Sequence, residues 1–352
     1  AEVLGYNVGW DAVTGTVIID DIDAILAAND ETYELMDKYL DYVRPYTTQN
    51  QRVTGRYTMD MDVSEQIENQ GELVELMGFT VRADMDYDMV MDGTAVEYDA
   101  LIDMDMSMSL AGEDVTELMV GLGAWPDLPE KLETKLRGDL AEGILYEKSP
   151  ISNMNAGLDP EADVWFRLDD TDNPVLGGVT MGELFQLSAG TPDMTFAEQL
   201  EATLRALEPV SVGYTASDAL AEFNLMYADS AFTRSGSSYV NTLEWGEGSS
   251  GEWIQGTELT LTLYTSGSRV TGYALEMTAA VEEEAGALSM TLFAAMEGDR
   301  MEMAMDYTVT AEDSTVSFNM TMDGTYRTTS AQPETEPPAG AQIIDVTVPT
   351  ET

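Results

Sequence analysis

The chain has 352 residues, with 15 Lys plus Arg against 66 Asp plus Glu, and it contains neither cysteine nor histidine. A formal charge of -51 argues strongly against nucleic acid or an anionic membrane surface as a partner. The missing Cys and His exclude disulfides, thiolate nucleophiles, Ser-His-Asp triads and most zinc or copper sites. A glycosidase with two carboxylates therefore stays only as a remote alternative to a protein without enzymatic activity.

The first twenty residues have the pattern of two short strands joined by a turn from Asp11 to Gly15. The run from Leu4 to Ile19, with its Gly-Trp-Asp core, resembles the closing hairpin of the copper amine oxidase N-terminal-like domain. That stalk module is common in secreted and surface proteins of Gram-positive bacteria, so the resemblance implies an extracellular or cell-surface location. It implies no copper site here, because the chain has no His. We expect the true N-terminus to lie upstream of Ala1.

Helical spacing of apolar residues follows from Ile22 to Tyr46, and Pro45 is expected to end the second of two helical pieces. Apolar and polar residues then alternate, which is the period of a strand with one dry and one wet face. This alternation predicts strands at about 53 to 64, 79 to 92, 95 to 110, 238 to 245, 257 to 265, 269 to 281, 287 to 297, 300 to 309 and 314 to 323.

The part between these two strand-rich blocks is expected to be mainly helical. Thr195 to Leu207 has an amphipathic pattern that begins with Thr195 as a cap and Glu198 three residues on. The other predicted elements are short helices near Asp114 to Val120 and from Pro129 to Ala141, a strand from Val164 to Leu168, and a helix from Thr215 to Tyr227 with Thr215 or Ser217 as its cap.

These elements predict an α+β, β-dominated fold, with one large curved antiparallel sheet of about ten strands and helices on its concave face. Two separate β domains are the alternative. The layout over about residues 30 to 327 is similar to the LolA-like half-barrel of bacterial envelope lipoproteins. We expect a remnant stalk hairpin over 1–20, a linker helix over 21–46, a LolA-like domain over 47–327 with a helical insert at about 111–230, and an acidic Pro/Thr-rich tail over 328–352, in which Ile343 to Val346 add an edge strand.

On the dry faces of the predicted strands, methionine is the main apolar residue. Its flexible, polarisable side chain adapts to ligands of irregular shape, so a sheet that binds an acyl chain favours such a lining. Methionine also fills ordinary cores, and both interpretations stay open. The candidate ligand-lining residues are Met59, Met61, Met85, Tyr87, Met89, Met91, Met104, Met106, Met301, Met303, Met305, Phe318 and Met320.

Aspartates dominate the wet faces, where like charges on neighbouring strands lie close together and repel. Bound Ca²⁺ would relieve this repulsion, but no twelve-residue calcium loop is present. We therefore expect weak, diffuse association with Ca²⁺, no specific metal site and no cofactor. The residues concerned are Asp60, Asp62, Asp84, Asp86, Asp88, Asp103 and Asp105.

The leading functional hypothesis is a non-enzymatic surface protein that binds a lipid or other amphiphile on its methionine-rich face. The alternative is a structural or adhesive surface module whose acidic face associates with cations or cell-wall components. No stretch approaches the length of apolar sequence that a transmembrane helix needs, so none is predicted in this chain.

Overall fold

The computed structural model describes residues 6–11, 15–69, 72–122, 131–169, 174–176, 179–180, 193–206, 215–245, 257–283, 286–311 and 313–346. The chain divides into two compact units. Unit 1 comprises Ala1–Pro45 and Thr191–Leu275, and unit 2 comprises Tyr46–Gly190 and Glu276–Thr352. Among the described residues, no helix has the length and apolar character needed to cross a membrane.

Strands make up most of the described chain. They are β1 Tyr6–Asp11, β2 Thr16–Asp21, β3 Gln51–Asn69, β4 Glu72–Asp92, β5 Ala95–Leu110, β6 Glu113–Asp114, β7 Lys131–Asp139, β8 Ile144–Lys148, β9 Val164–Asp169, β10 Pro174–Leu176, β11 Val179–Thr180, β12 Thr233–Ser235, β13 Ser238–Trp245, β14 Thr257–Ser266, β15 Arg269–Glu283, β16 Gly286–Glu297, β17 Arg300–Ala311, β18 Ser314–Thr328 and β19 Gln342–Val346. The described helices are α1 Ile22–Ala27, α2 Glu34–Thr48, α3 Thr116–Gly121, α4 Pro150–Asn155, α5 Phe196–Ala206 and α6 Ala216–Tyr227, with a 3₁₀ turn at Asp229–Ala231.

Fifteen of the strands belong to one sheet, in the order β12-β13-β14-β15-β16-β17-β18-β3-β4-β5-β7-β8-β9-β19, with β6 paired to β5. Antiparallel pairs dominate it, and β19 joins β9 in parallel. The β-dominated fold with a large antiparallel sheet is thus confirmed. The sheet has fifteen strands instead of about ten. The alternating strands, the strand from Val164 to Leu168 and the terminal edge strand were predicted, and β6, β7, β8 and β12 add to them.

The predicted N-terminal hairpin is confirmed by the pairing of β1 with β2, from Tyr6 opposite Asp21 to Asp11 opposite Thr16. Gly15 adopts a φ of 67° at the end of the turn. This left-handed conformation is one that glycine accepts without steric cost. The side-chain amide of Asn7 donates to the carbonyl of Leu204 at 2.7 Å and ties the hairpin to α5.

Unit 1 has a helix-covered core in which Ile22, Leu204 and Leu263 are fully buried. Aspartates fix the starts of the helices that build this core. Asp229 accepts the backbone N–H groups of Glu34 at 2.9 Å and of Leu35 at 2.8 Å. Further contacts of this kind are from Phe196 N–H to Asp37 at 2.7 Å and from Ala216 N–H to Asp20 at 2.9 Å. Carboxylates at these positions satisfy backbone donors and complement the helix dipole.

Two helix predictions need correction. The segment predicted to be helical from Pro129 to Ala141 contains strand β7, because Lys131 to Arg137 also alternates in charge and apolarity and pairs with both β5 and β8. Pairing on both sides overrides the helix propensity of its Lys, Leu and Glu residues. Helix α2 continues through Pro45 to Thr48 instead of ending at the proline.

The predicted edge strand at the end of the chain is confirmed as β19, which pairs with β9. The chain leaves β18 beside β3 and crosses to the far edge of the sheet. Two hydrogen bonds mark its route: Asn50 donates to the carbonyl of Ala331 at 3.0 Å, and the N–H of Glu334 donates to Glu97 at 2.9 Å. The Pro/Thr-rich segment after β18 therefore lies along unit 2.

Candidate functional site

The register of unit 2 aligns methionines from five strands in rows that run across the sheet. Residues that are directly opposite each other in an antiparallel pair point to the same face. One row passes from β16 to β5 through Leu292, Met305, Met320, Met59, Ala83 and Met104. The next row passes through Ala294, Met303, Met322, Tyr57, Met85 and Ile102.

We call the apolar side of β16, β17, β18, β3, β4 and β5 the methionine face. All thirteen candidate residues lie on it: Met59, Met61, Met85, Tyr87, Met89, Met91, Met104, Met106, Met301, Met303, Met305, Phe318 and Met320. The register adds Met290 and Met296 of β16 and Tyr57 of β3, which the candidate set lacks. The alternation within β16 is the signal that points to the two methionines.

Burial changes along the methionine face. At one end Val53, Tyr87 and Ala100 are buried and form a small core. In the middle the methionines are half-buried, Met59 and Met305 among them, whereas Val81 and Ala83 of β4 are buried. At the other end the apolar side chains are exposed. The face is therefore an apolar surface that the described residues only partly cover.

Tyr87 packs within the buried end of the methionine face. Its hydroxyl donates to the carbonyl of Asp323 at 3.1 Å and lies close to Gly55 and Gly324, which are directly opposite each other in β3 and β18. Burial, with smaller contributions from Tyr326 and Asp323, raises the pKa of Tyr87 to about 12. This tyrosine is neutral at pH 7 and closes one end of the face.

Helix coverage differs between the two units. In unit 1 the helices and strands share one core, and Leu263 of β14 is 0% exposed. In unit 2 the described helices are short, with α3 against β5 and α4 against β7 and β8. The half-buried state of the methionine face follows from this arrangement.

The opposite side of the same strands is polar, and arginines pair with part of its aspartate rows. Arg56 contacts Asp84 at 2.8 Å and Arg82 contacts Asp60 at 3.3 Å. Arg52 forms a further ion pair with Asp88. Asp84 nevertheless lies directly opposite Asp103, so like charges remain adjacent on this side. These pairs are exposed to solvent, so each contributes little to the free energy of unfolding.

Within the described residues, no group of three or more Asp and Glu side chains is arranged to hold a metal ion. The aspartate rows alternate with arginine and threonine partners instead of converging on one point; Thr80, for example, donates to Asp62 at 2.8 Å. Diffuse association with Ca²⁺ stays a prediction.

No family model and no curated protein matches the chain. Solved structures similar to it include the translocator domain of the autotransporter NalP from Neisseria meningitidis, at 7% identity and a TM-score of 0.23, over 87% of this chain and 97% of that one. Another is lipovitellin, in a structure concerned with its lipid–protein interactions, at 9% identity and a TM-score of 0.26, over 82% of this chain and 28% of that one. TM-scores this low carry no argument about fold or function. The family of this chain therefore stays the prediction made from its sequence.

Proposed function

We propose that this chain is a non-enzymatic extracellular or cell-surface protein whose methionine face binds the acyl chain of a lipid or other amphiphile. The observation that carries the proposal is that methionines of this face are half-buried on each of six neighbouring strands. A core residue of a folded domain is fully enclosed, as Leu263 is, whereas Met59 and Met305 keep apolar surface that a ligand can cover.

The dimensions of the face suit one or a few acyl chains. Six strands at a spacing of about 4.8 Å give a width of roughly 24 Å, and a rise of about 3.4 Å per residue gives a similar length. Each methylene that leaves water contributes about 0.8 kcal/mol. About twelve methylenes would contribute roughly 10 kcal/mol before the cost of association, which is compatible with micromolar binding.

The chemistry of the face favours binding over catalysis. It presents thioethers, methyl groups and aromatic rings, which attract apolar ligands and transfer no protons at neutral pH. The formal charge of -51 disfavours an anionic head group by long-range repulsion. A neutral, zwitterionic or cationic amphiphile is the ligand class that meets both conditions.

Native mass spectrometry of the protein, purified mildly from its own host, tests the proposal when compared with a face variant. Met59 and Met320 are directly opposite each other, so the pair Met59→Gln and Met320→Gln places two polar amides of similar size in the centre of the face. We expect a discrete amphiphile on the unmodified chain and at least tenfold less on this variant. Met154→Gln, a half-buried position in α4 away from the face, is the matched control and should retain the ligand.

An unmodified chain that is free of ligand and does not take up added amphiphile would contradict the proposal. Equal ligand on the face variant and on the control would contradict the assignment of the site. The first result would favour the structural or adhesive module, in which the methionine face is only a packing surface.

A further inference from the structure

The methionine face ends in an exposed apolar patch, formed by Ile67, Val74, Met77 and Leu110. Ile67 is 44% exposed and Leu110 is 41% exposed. Register makes them neighbours, because Ile67 is opposite Val74 and Met77 is opposite Leu110. Contiguous exposed apolar side chains of this kind mark interaction sites in soluble proteins.

Helix α3 adds exposed apolar surface close to this patch. It follows β6 and lies against β5. Leu118 is 59% exposed and Leu122 is 70% exposed, and the two are four residues apart, so they lie on one side of the helix. Burial against the described chain does not account for these leucines.

Carboxylates flank the patch on both sides within a single row. The register runs from Glu65 in β3 through Met77 and Leu110 to Glu113 in β6. Both glutamates are exposed, and neither forms an ion pair among the described residues. Three strand spacings separate them, which is roughly 14 Å.

No Lys or Arg lies close in sequence to the residues of this acidic border. Arg82 is followed by no Lys or Arg until Lys131, and none lies between Arg56 and Arg82. Further acids lie nearby, including Asp114 and Glu117. The patch therefore combines apolar contact in the centre with negative charge at its edges.

We infer that this patch is a docking surface for a basic amphipathic helix of a partner protein. Such a helix, about 10 to 12 Å wide, fits between Glu65 and Glu113. Its apolar stripe would cover Met77 and Leu110, and lysines or arginines beside the stripe would reach the two carboxylates. A second copy of this chain is disfavoured as occupant, because it carries the same charge of -51. The inference goes beyond the proposed function and does not depend on a bound amphiphile.

Fluorescence anisotropy with a labelled synthetic Leu/Lys peptide of about 18 residues, or five helical turns, tests the inference. Leucines at helical spacing give it an apolar stripe, and a scrambled peptide of the same composition serves as the control. At about 0.15 M salt, where charges are screened beyond about 8 Å, we expect the helical peptide to bind at least tenfold more tightly than the scrambled one. Equal binding of the two peptides would show diffuse charge attraction and overturn the inference.

Variants of the chain locate the site. Leu110→Ser and Ile67→Ser should each weaken binding about fivefold, since each removes apolar surface from the contact. Ile19→Ser is the matched control, because Ile19 is 61% exposed in β2 of unit 1. Two separate variants are made so that a folding defect in one of them does not decide the result. Circular dichroism checks that both are folded. Patch variants that bind like the control would overturn the inference.

Charge variants test the carboxylate border separately. The pair Glu65→Gln and Glu113→Gln should weaken binding about fivefold and reduce its salt dependence. The pair Glu258→Gln and Glu302→Gln makes the same change in total charge at exposed positions away from the patch, and it should leave binding within twofold. Equal effects of the two pairs would overturn the inference. So would self-association that Leu110→Ser abolishes, because a second copy would then be the occupant.

Discussion

At the scale of single residues, the contact between Tyr87 and two glycines decides how one end of the methionine face is closed. A Cβ on Gly55 would lie 1.9 Å from the carbonyl oxygen of Asp323 and 2.6 Å from the hydroxyl of Tyr87. The backbone atom cannot move away without breaking the strand pairing. Only a glycine at this position lets β18 and the hydroxyl of Tyr87 approach β3 this closely.

Gly55→Ala should therefore lower the free energy of unfolding by about 3 kcal/mol. Tyr87→Phe should lower it by about 1 kcal/mol, since it removes one hydrogen bond and keeps the ring. Gly121→Ala in α3 is the control, because its Cβ would meet no atom within 4 Å, and it should be neutral or slightly stabilising. Urea unfolding monitored by circular dichroism measures all three variants. A Gly55→Ala protein as stable as Tyr87→Phe would contradict the close approach.

The sequence places Tyr87 on the dry face, and the structure agrees, but alternation cannot tell a buried face residue from a ligand-accessible one. The difference depends on Gly55 and Gly324, which reach Tyr87 only through the pairing of β18, β3 and β4. Strand β18 is far from β3 and β4 in sequence. The burial of individual residues on the methionine face could therefore not be predicted from the local sequence pattern.

At the scale of elements, short polar motifs fix the helix starts of unit 1. Thr215 caps α6: its hydroxyl accepts the N–H of Asp218, and the Asp218 carboxylate accepts the N–H of Thr215 at 2.8 Å. The hydrogen bonds from the Thr215 hydroxyl and backbone lower the pKa of Asp218 below its ordinary value. Its contribution to stability is therefore complete above the ordinary pKa of aspartate, near 4, and is lost as the pH falls through the lowered value.

Thr215→Ala should lower the free energy of unfolding by about 1 kcal/mol at neutral pH. The difference from the unmodified chain should shrink in acid, as the Asp218 carboxyl becomes protonated in both proteins. Urea unfolding at about pH 7 and about pH 3 measures it. Ser217→Ala, at the other cap position that the sequence allows, should have little effect. A larger loss for Ser217→Ala than for Thr215→Ala would contradict this cap.

Local motifs and strand alternation were predictable at this scale, and β7 was not. The caps at Thr195 and Thr215 are set by residues within a few positions of each other. Strand β7 has a sequence compatible with either period, and its state is decided by the neighbours β5 and β8. Long-range strand pairing decides the secondary structure of such segments, and the sequence pattern alone does not predict it.

At the scale of the whole molecule, the sequence predicted a large antiparallel sheet with one methionine-rich face. It could not predict which part of that face is covered, because coverage depends on contacts between distant segments. Unit 1 has a core of buried apolar residues beneath its helices, whereas most methionines of the methionine face in unit 2 are half-buried. The charge of -51 is spread over the polar strand faces and loops, where arginine pairs offset part of it. The apolar face and the acidic exterior together define the proposed ligand class.

The most direct test of the central claim is NMR of the intact chain with ¹³C-labelled methionine methyl groups, titrated with the zwitterionic amphiphile dodecylphosphocholine. Single Met→Leu variants assign the signals. We expect saturable shifts at Met59, Met104, Met305 and Met320, with Met36 and Met154 unchanged, because only the first four lie on the methionine face. Signals that do not respond, or that shift equally at all six methionines, would contradict ligand binding by this face.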